Sequence, residues 1–267
     1  MKLTQNTIIF IIALFLLLLR FIFGNVVIDS IKRNMYYIPS KIIFSKPNND
    51  IESVYLTNNE GNQLNGWYYK GNSYSDKTIL YCHGNAGNIS GRHHIIQKFI
   101  DKGISVLMFD YRGYGLSEGY TTTESSYQDA VDWMIYLINN KQVNKKDIIP
   151  MGESIGSYPA ARLADEHNLS KVIIFAGFHN MSDVVINLFP VPINHIASYV
   201  TNGDLETGKH LKNHKGKKLI LHSKSDEIIS FDNAIKNSSY GGELVTVEGG
   251  HNDHNIDYDI IKNFIYK

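Results

Sequence analysis

The sequence predicts an α/β fold: a mostly parallel central sheet flanked by helices, with a small cap and an N-terminal hydrophobic helix. Three observations predict it. From residue 77 onward, short and continuously apolar runs alternate with amphipathic stretches, the pattern of strands covered by helices on both faces. Polar, glycine-bearing clusters follow several of these runs, namely "HGNAGN", "DYRGYG", "ESIG", "SKSDE" and "EGGHND", and open α/β sheets form their sites at such strand ends. At the N-terminus, residues 8–19 are all apolar, and apolar character resumes after Arg20.

Residues 1–30 are read as a membrane anchor. A span needs about 20 mostly apolar residues, and Arg20 can snorkel or sit near an interface. No A-x-A-like cleavage site follows, only Gly24-Asn25, so an uncleaved single-pass anchor is expected, with secretion after signal cleavage as the alternative. Lys2 precedes the segment, whereas Lys32, Arg33 and Lys41 follow it, which leans towards a cytoplasmic catalytic part. Residues 31–51, with Pro39 and Pro47, are expected to form an irregular connector.

Residues 52–267 are expected to form one domain. A strand pair at 54–57 and 64–69 flanks "NNEGNQ", a hairpin signal. Further strands are expected at 78–82, 105–109, 148–151, 172–175, 218–222 and 244–247. Helices are expected at 92–102, 124–139, 155–167, 231–238 and 257–266. The interval 178–215 is less regular, with two prolines and two short helix-like pieces, and is read as a short cap over one end of the sheet.

Lys+Arg and Asp+Glu both number 26 in 267 residues, so the charge balance supplies no reason to expect nucleic acid as a partner. Cys82 is the only cysteine. It excludes an intrachain disulfide and a cysteine-based metal cluster, and its apolar neighbours point to a buried, inert thiol.

The chemistry is expected at "MGESIGSYP", residues 151–159. A serine on a sharp strand-to-helix turn needs small neighbours two residues away, which Gly152 and Gly156 supply. The helix behind Ser154 directs its N–H groups and dipole towards the hydroxyl. An N-cap serine in a glycine-rich turn is the bland alternative. Serine needs a base, and of eleven histidines His251 stands in "GGHND", just past the last apolar strand. His254 competes, but reads as a solvated residue at a helix start. Asp226, a short turn beyond the strand at 218–222, is expected to fix the imidazole tautomer. Glu227 reads as a surface carboxylate. Two backbone donors are expected to form the oxyanion hole, the N–H groups of Ile155 and Asn85. His83 and Gly84 shape that turn, and His83 reads as a buried structural histidine. "HGNAGN" lacks the Lys-Ser/Thr of a phosphate loop.

The stretches "HGNAGN", "FDYRGYGLSEG", "GESIGSYPAARLA", "HSKSDEIISF" and "VEGGHND", from about residue 52 to the C-terminus, resemble the α/β-hydrolases. More narrowly, they resemble the single-domain serine hydrolases that include membrane-associated protein depalmitoylases. The resemblance implies the α/β-hydrolase fold, with Ser154 as nucleophile, Asp226 as acid and His251 as base. It makes Tyr111, Arg112 and Gly113 a structural loop near the site. Pro159, awkward so early in a helix, is common in this subgroup. Ser230 stands where relatives often carry proline, and the depalmitoylases' cysteine-rich N-terminus is replaced here by a hydrophobic segment. The expected activity is hydrolysis of carboxylic esters or thioesters through an acyl-enzyme, without metal or organic cofactor. The expected substrates are lipid-like or acylated molecules near a membrane, acylated proteins among them. A serine peptidase of the same fold and an inactive membrane-tethered scaffold are the alternatives.

Overall fold

The computed structural model describes residues 14, 15, 18, 25–71 and 77–267. Helix α1 (Asn25–Tyr36) leads into an extended strap over residues 37–45. Strands β1 (Glu52–Thr57) and β2 (Gln63–Tyr69) follow as a hairpin. The Asn58 carboxamide oxygen accepts the N–H groups of Glu60 and Asn62 at 3.0 and 2.9 Å, and Gly61 takes φ +83°. A short amide side chain and a left-handed glycine thus close the turn.

Six more strands complete the sheet: β3 (Thr78–Cys82), β4 (Ser105–Phe109), β5 (Ile148–Glu153), β6 (Lys171–Phe175), β7 (Lys217–Ser223) and β8 (Glu243–Val247). Their order is β8-β7-β6-β5-β3-β4-β2-β1. The hairpin strands run antiparallel, β2 pairs antiparallel with β4, and every other pairing is parallel. Cys82 lies opposite both Phe109 and Gly152. The loops after β3, β4 and β5 therefore leave the sheet along one edge.

Alternate residues of a strand face opposite sides. Leu80, Cys82, Leu107 and Phe109 enter one core, with Trp133 of α3 (Thr123–Asn139) and Leu163 of α4 (Ser157–Glu166). Ile79, Tyr81, Val106 and Met108 enter the other, with Phe99 of the preceding helix (His93–Asp101, here α2) and with Ile261 and Ile265 of the C-terminal helix. Burying one such aliphatic side chain contributes about 1.5–3 kcal/mol, so both faces of these continuously apolar strands stabilise the fold. The Cys82 thiol is fully buried in the first core, and burial raises its pKa above the usual thiol range.

Between β6 and β7 lie three helices, α5 (Met181–Leu188), α6 (Ile193–Val200) and α7 (Thr207–Asn213), where two helical pieces were expected. Helix α8 (Asp232–Ser238) joins β7 to β8, and α9 (Tyr258–Tyr266) ends the fold. Lys171, buried at the start of β6, donates to the carbonyls of Phe264 and Ile265 at 2.8 and 2.6 Å. It satisfies acceptors that a helix C-terminus otherwise leaves open.

Two expectations need correction or restriction. The stretch read as irregular connector begins with helix, since α1 continues through Tyr36. One turn apart, Lys32 Nζ and the Tyr36 hydroxyl both reach Asp204 Oδ2 at 2.7 Å, fixing the helix to the loop after α6. The hydrophobic helix and membrane anchor expected over residues 1–30 lie mostly outside the described residues. Among the described residues no helix is long and apolar enough to cross a membrane.

Candidate active site

Ser154 follows β5 directly and opens a 3-10 turn (Ser154–Gly156) that runs into α4. Its φ is +51°, a left-handed conformation that costs a non-glycine residue about 1–3 kcal/mol and clusters at functional sites. The flanking glycines are sterically required. A Cβ on Gly152 would stand 2.3 Å from the Gly156 carbonyl oxygen, and one on Gly156 would stand 2.0 Å from that of Cys82. Pro159 falls in the first turn of α4, where its missing N–H leaves no intrahelical bond unmade.

The loop after β8 delivers His251 to this turn. Its Nε2 lies 3.1 Å from Ser154 Oγ, placed to accept the hydroxyl proton, and Nδ1 lies 2.8 Å from Asp226 Oδ2. Gly249 turns the loop at φ +97°. The Asp253 carboxylate accepts the Gly250 N–H, and Glu227 Oε2 accepts the His251 N–H at 3.0 Å. Glu227 therefore holds the histidine loop rather than serving as a plain surface charge.

Asp226 has no exposed side-chain surface. Its Oδ1 accepts the N–H groups of Ile228 and Ile229 at 2.9 and 2.7 Å. His222 Nε2 donates to the Ile229 carbonyl at 2.8 Å and lies 3.4 Å from Asp226 Oδ2. Burial alone would raise the Asp226 pKa. Hydrogen bonds from His222, His251 and the Ile229 N–H outweigh it and hold the carboxyl well below the usual carboxylate range. The ion is thus kept charged behind the imidazole.

His254 is not the solvated helix-start residue expected. Its side chain is 4% exposed, its ring packs edge-on against Phe175 with centroids 4.6 Å apart, and its Nε2 lies 3.9 Å from Asp226 Oδ2. Helix α9 begins four residues later. Burial lowers the pKa of His254, and its ring contributes a wall behind His251.

The "HGNAGN" loop lies beside the serine, since a Cβ on Gly84 would come 3.6 Å from Ser154 Cβ. The Asn85 N–H donates to no acceptor among the described residues. The Ile155 N–H lies in the first turn after the elbow, where N–H groups lack intrahelical partners. His83 is fully buried between Tyr111 and Tyr114 and donates from Nδ1 to the Gly84 carbonyl at 2.7 Å; burial lowers its pKa. Tyr111 OH donates to the His83 carbonyl at 3.0 Å, and Arg112 locks onto Asp129 through two guanidinium nitrogens and its own N–H. Those contacts make this loop a scaffold for the site.

Other residues shape the site without having been singled out from the sequence. Glu153 Oε2 accepts the Tyr81 hydroxyl at 2.7 Å and the Gly84 N–H at 3.4 Å. Arg92 donates to the carbonyls of Gly84, Ala86 and Asn88 at 2.8–3.1 Å, with Nε 3.8 Å from Glu153. From the other side the strap pairs residue by residue with the loop, Ile38 opposite Ala86 and Pro39 opposite Gly87. The Ile38 N–H donates to Asn85 Oδ1 at 2.8 Å, and Asn88 Nδ2 donates to the carbonyls of Ser40 and Ile42, each at 2.8 Å. Only Glu153 had a visible signal, its place inside the serine motif. Among the described residues no group of three or more His, Cys, Asp or Glu side chains is arranged to hold a metal ion.

This strand order, with a strained serine elbow after the central strand and an imidazole carried in by the last strand's loop, is the frame of the α/β hydrolases. Residues 73–203 match the family model Hydrolase_4, described as serine aminopeptidase, S33. An uncharacterised protein of Acanthamoeba polyphaga mimivirus is 32% identical over 206 residues, 68% of this chain and 69% of that one. An α/β hydrolase of Vibrio vulnificus superposes with a TM-score of 0.71 at 23% identity, covering 82% of this chain and 81% of the other. An esterase of Pyrococcus furiosus does so with a TM-score of 0.66 at 17% identity, over 86% and 95%. The chain belongs to the α/β-hydrolase superfamily.

Proposed function

We propose that the protein is a serine hydrolase of carboxylic esters or thioesters, with Ser154, His251 and Asp226 as its triad. In this reading residues 52–267 are the catalytic domain and the helices within 178–215 its short cap. The observation that carries it is the continuous path from Ser154 Oγ to His251 Nε2 at 3.1 Å and from Nδ1 to Asp226 at 2.8 Å.

His251 Nε2 takes the hydroxyl proton as Ser154 Oγ attacks the acyl carbon, and Asp226 stabilises the imidazolium. The N–H groups of Ile155 and Asn85 receive the oxyanion; one such donor is worth about 10²–10³ in kcat. The imidazolium then gives its proton to the departing alcohol or thiol. Water, deprotonated by the same nitrogen, attacks the acyl-serine and releases the acid. This chemistry is complete with the chain's own groups. The apolar segment within residues 1–30, read as a membrane anchor, would hold the site near acyl chains, which favours lipid-like substrates and acylated proteins.

A series of p-nitrophenyl esters and acyl thioesters from acetyl to palmitoyl tests the proposal, with wild type and Ser154→Ala compared. The expected result is Ser154-dependent turnover that rises with chain length. Turnover confined to acetyl and butyryl esters would overturn the lipid-like assignment. The family model's description as a serine aminopeptidase favours one second reading. Peptide amides belong in the same series, and their preferential cleavage would select the peptidase.

A further inference from the structure

The large apolar side chains exposed on this protein are not scattered. Among the described residues from 25 onward seventeen are exposed, and all but Tyr55, Ile135, Ile235 and Tyr266 fall in α1 with its strap, in the loop after β4, or in α5 and α6 with their linker. Phe44 is 67% exposed, Ile42 64% and Tyr199 71%. Isolated exposed apolar residues are ordinary, whereas a contiguous set marks a docking surface.

The three segments are bonded into one face. Gly115 N–H donates to the Ser40 carbonyl at 2.9 Å, and Lys41 Nζ donates to that of Ser117 at 2.6 Å. Arg33 sits 5.1 Å over the Tyr120 ring. Lys32 and Tyr36 bind Asp204, whose carbonyl accepts the N–H of Met181 at the start of α5. The strap is also paired to the oxyanion-side loop at residues 85–90. At the strap, the apolar face therefore borders the loop that lies beside Ser154.

Its charge distribution identifies the occupant. Residues 30–49 contain four basic residues (Lys32, Arg33, Lys41, Lys46) and no Asp or Glu. Residues 184–203 contain no Asp, Glu, Lys or Arg at all, although they include helix residues as open as Tyr199. Apolar residues interleaved with lysine and arginine match an anionic lipid surface, where the apolar groups enter the acyl boundary and the cations meet headgroups. In the sequence, the uninterrupted apolar run at residues 8–19 precedes helix α1.

We infer that the face formed by the strap, the loop after β4 and helices α5 and α6 docks on an anionic lipid bilayer, with the Ser154 site opening towards it. The inference deepens the lipid-like reading of the same site, and rests on it only for what the docked site would cleave. Docking would let an acyl chain pass from bilayer to serine without crossing water.

The test uses the full chain with an environment-sensitive fluorophore on single added cysteines, Phe44→Cys and Tyr199→Cys, with Ile135→Cys, exposed on α3 and outside the three segments of the face, as the control. The native Cys82 is buried. Vesicles of phosphatidylcholine and phosphatidylserine carry a shallow doxyl quencher. Probes at 44 and 199 are expected to be quenched about two- to threefold, with weaker quenching as salt rises, while the probe at 135 is unaffected. Absence of quenching at 44 and 199, whether or not the protein sediments with vesicles, overturns the inference. So does burial of these probes before lipid is added, which would assign the face to another part of this chain, or burial that follows protein concentration alone, which would assign it to a second copy. Fluorophosphonate labelling of Ser154 in the same samples reads the hydrolase proposal separately. Labelling without quenching removes only the lipid face, and quenching without labelling removes only the hydrolase.

Discussion

At the scale of single residues, Asp226 concentrates the most interactions of any group in the site. One carboxylate receives two backbone N–H groups, the His251 ring and the flank of His222. Asp226→Asn should keep the shape but present an amide that can hold the wrong tautomer, lowering kcat about 10³- to 10⁴-fold; steady-state ester hydrolysis reads this. The same side chain has a pH signature. Its pKa in the folded protein is depressed, so its contribution to stability is complete above the unfolded value of about 3.9 and is lost as pH falls through the folded value. Urea unfolding followed from pH 5 downward should show wild-type stability dropping more steeply below about pH 4 than that of Asp226→Asn. Parallel curves would mean that the carboxylate is not held in this way. Ser154, Asp226 and His251 could be chosen from the sequence because each follows a short apolar run at a strand end. The roles of Glu153, Arg92, Glu227 and His254 could not, because each depends on a distance between segments remote in the chain or on a side-chain direction within a loop.

At the scale of elements, the loop at residues 83–88 is held by two sets of contacts, those of Arg92 and Glu153 and those of the strap. The strap's bond to Asn85 uses the backbone N–H of Ile38, which separates a packing role from a positioning role. Ile38→Pro removes that donor and Ile38→Ala keeps it. The proline variant is expected to lose about tenfold in kcat with little change in KM, because a small displacement of an oxyanion donor acts on the transition state, while the alanine variant stays near wild type. Equal losses in both would reduce the strap to packing. Strands β3 to β8 were legible because each is a short, mostly apolar run bounded by polar or turn residues, and their observed limits lie within two residues of those expected. Helix α1 was not legible, as residues 26–28 extend the apolar segment while residues 29–36 mix Asp, Ser, Lys, Arg and Asn with apolar residues ahead of Pro39. The ladder between residues 38–39 and 86–87 was equally hidden, since two residues carry no periodicity.

At the scale of the whole molecule, one sheet separates two cores, and its central strands contribute side chains to both. The protein has two tryptophans, one in each core: Trp133 with α3 and Trp67 against the opposite face. Trp67→Phe and Trp133→Phe therefore yield reporters for each side, and Trp133 Nε1 has no partner to lose among the described residues. Because Leu80 and Ile79 are neighbours on one strand yet anchor different cores, neither core can melt without dismantling the other. Within each variant, fluorescence and far-ultraviolet circular dichroism should give coincident urea midpoints; midpoints that separate would show two independently folding layers. The same architecture explains why fold class was readable from pattern while substrate was not. Periodicity is weakest in the strap and in the segment between β6 and β7.

The most direct measurement is the site of covalent capture. Wild type and Ser154→Ala are treated with a fluorophosphonate, and the modified peptide is located by mass spectrometry, with circular dichroism confirming that both are folded. A single adduct on the peptide bearing Ser154, absent from Ser154→Ala, is the expected result. A folded wild type that takes no adduct, or an undiminished adduct in Ser154→Ala, would contradict a nucleophilic serine.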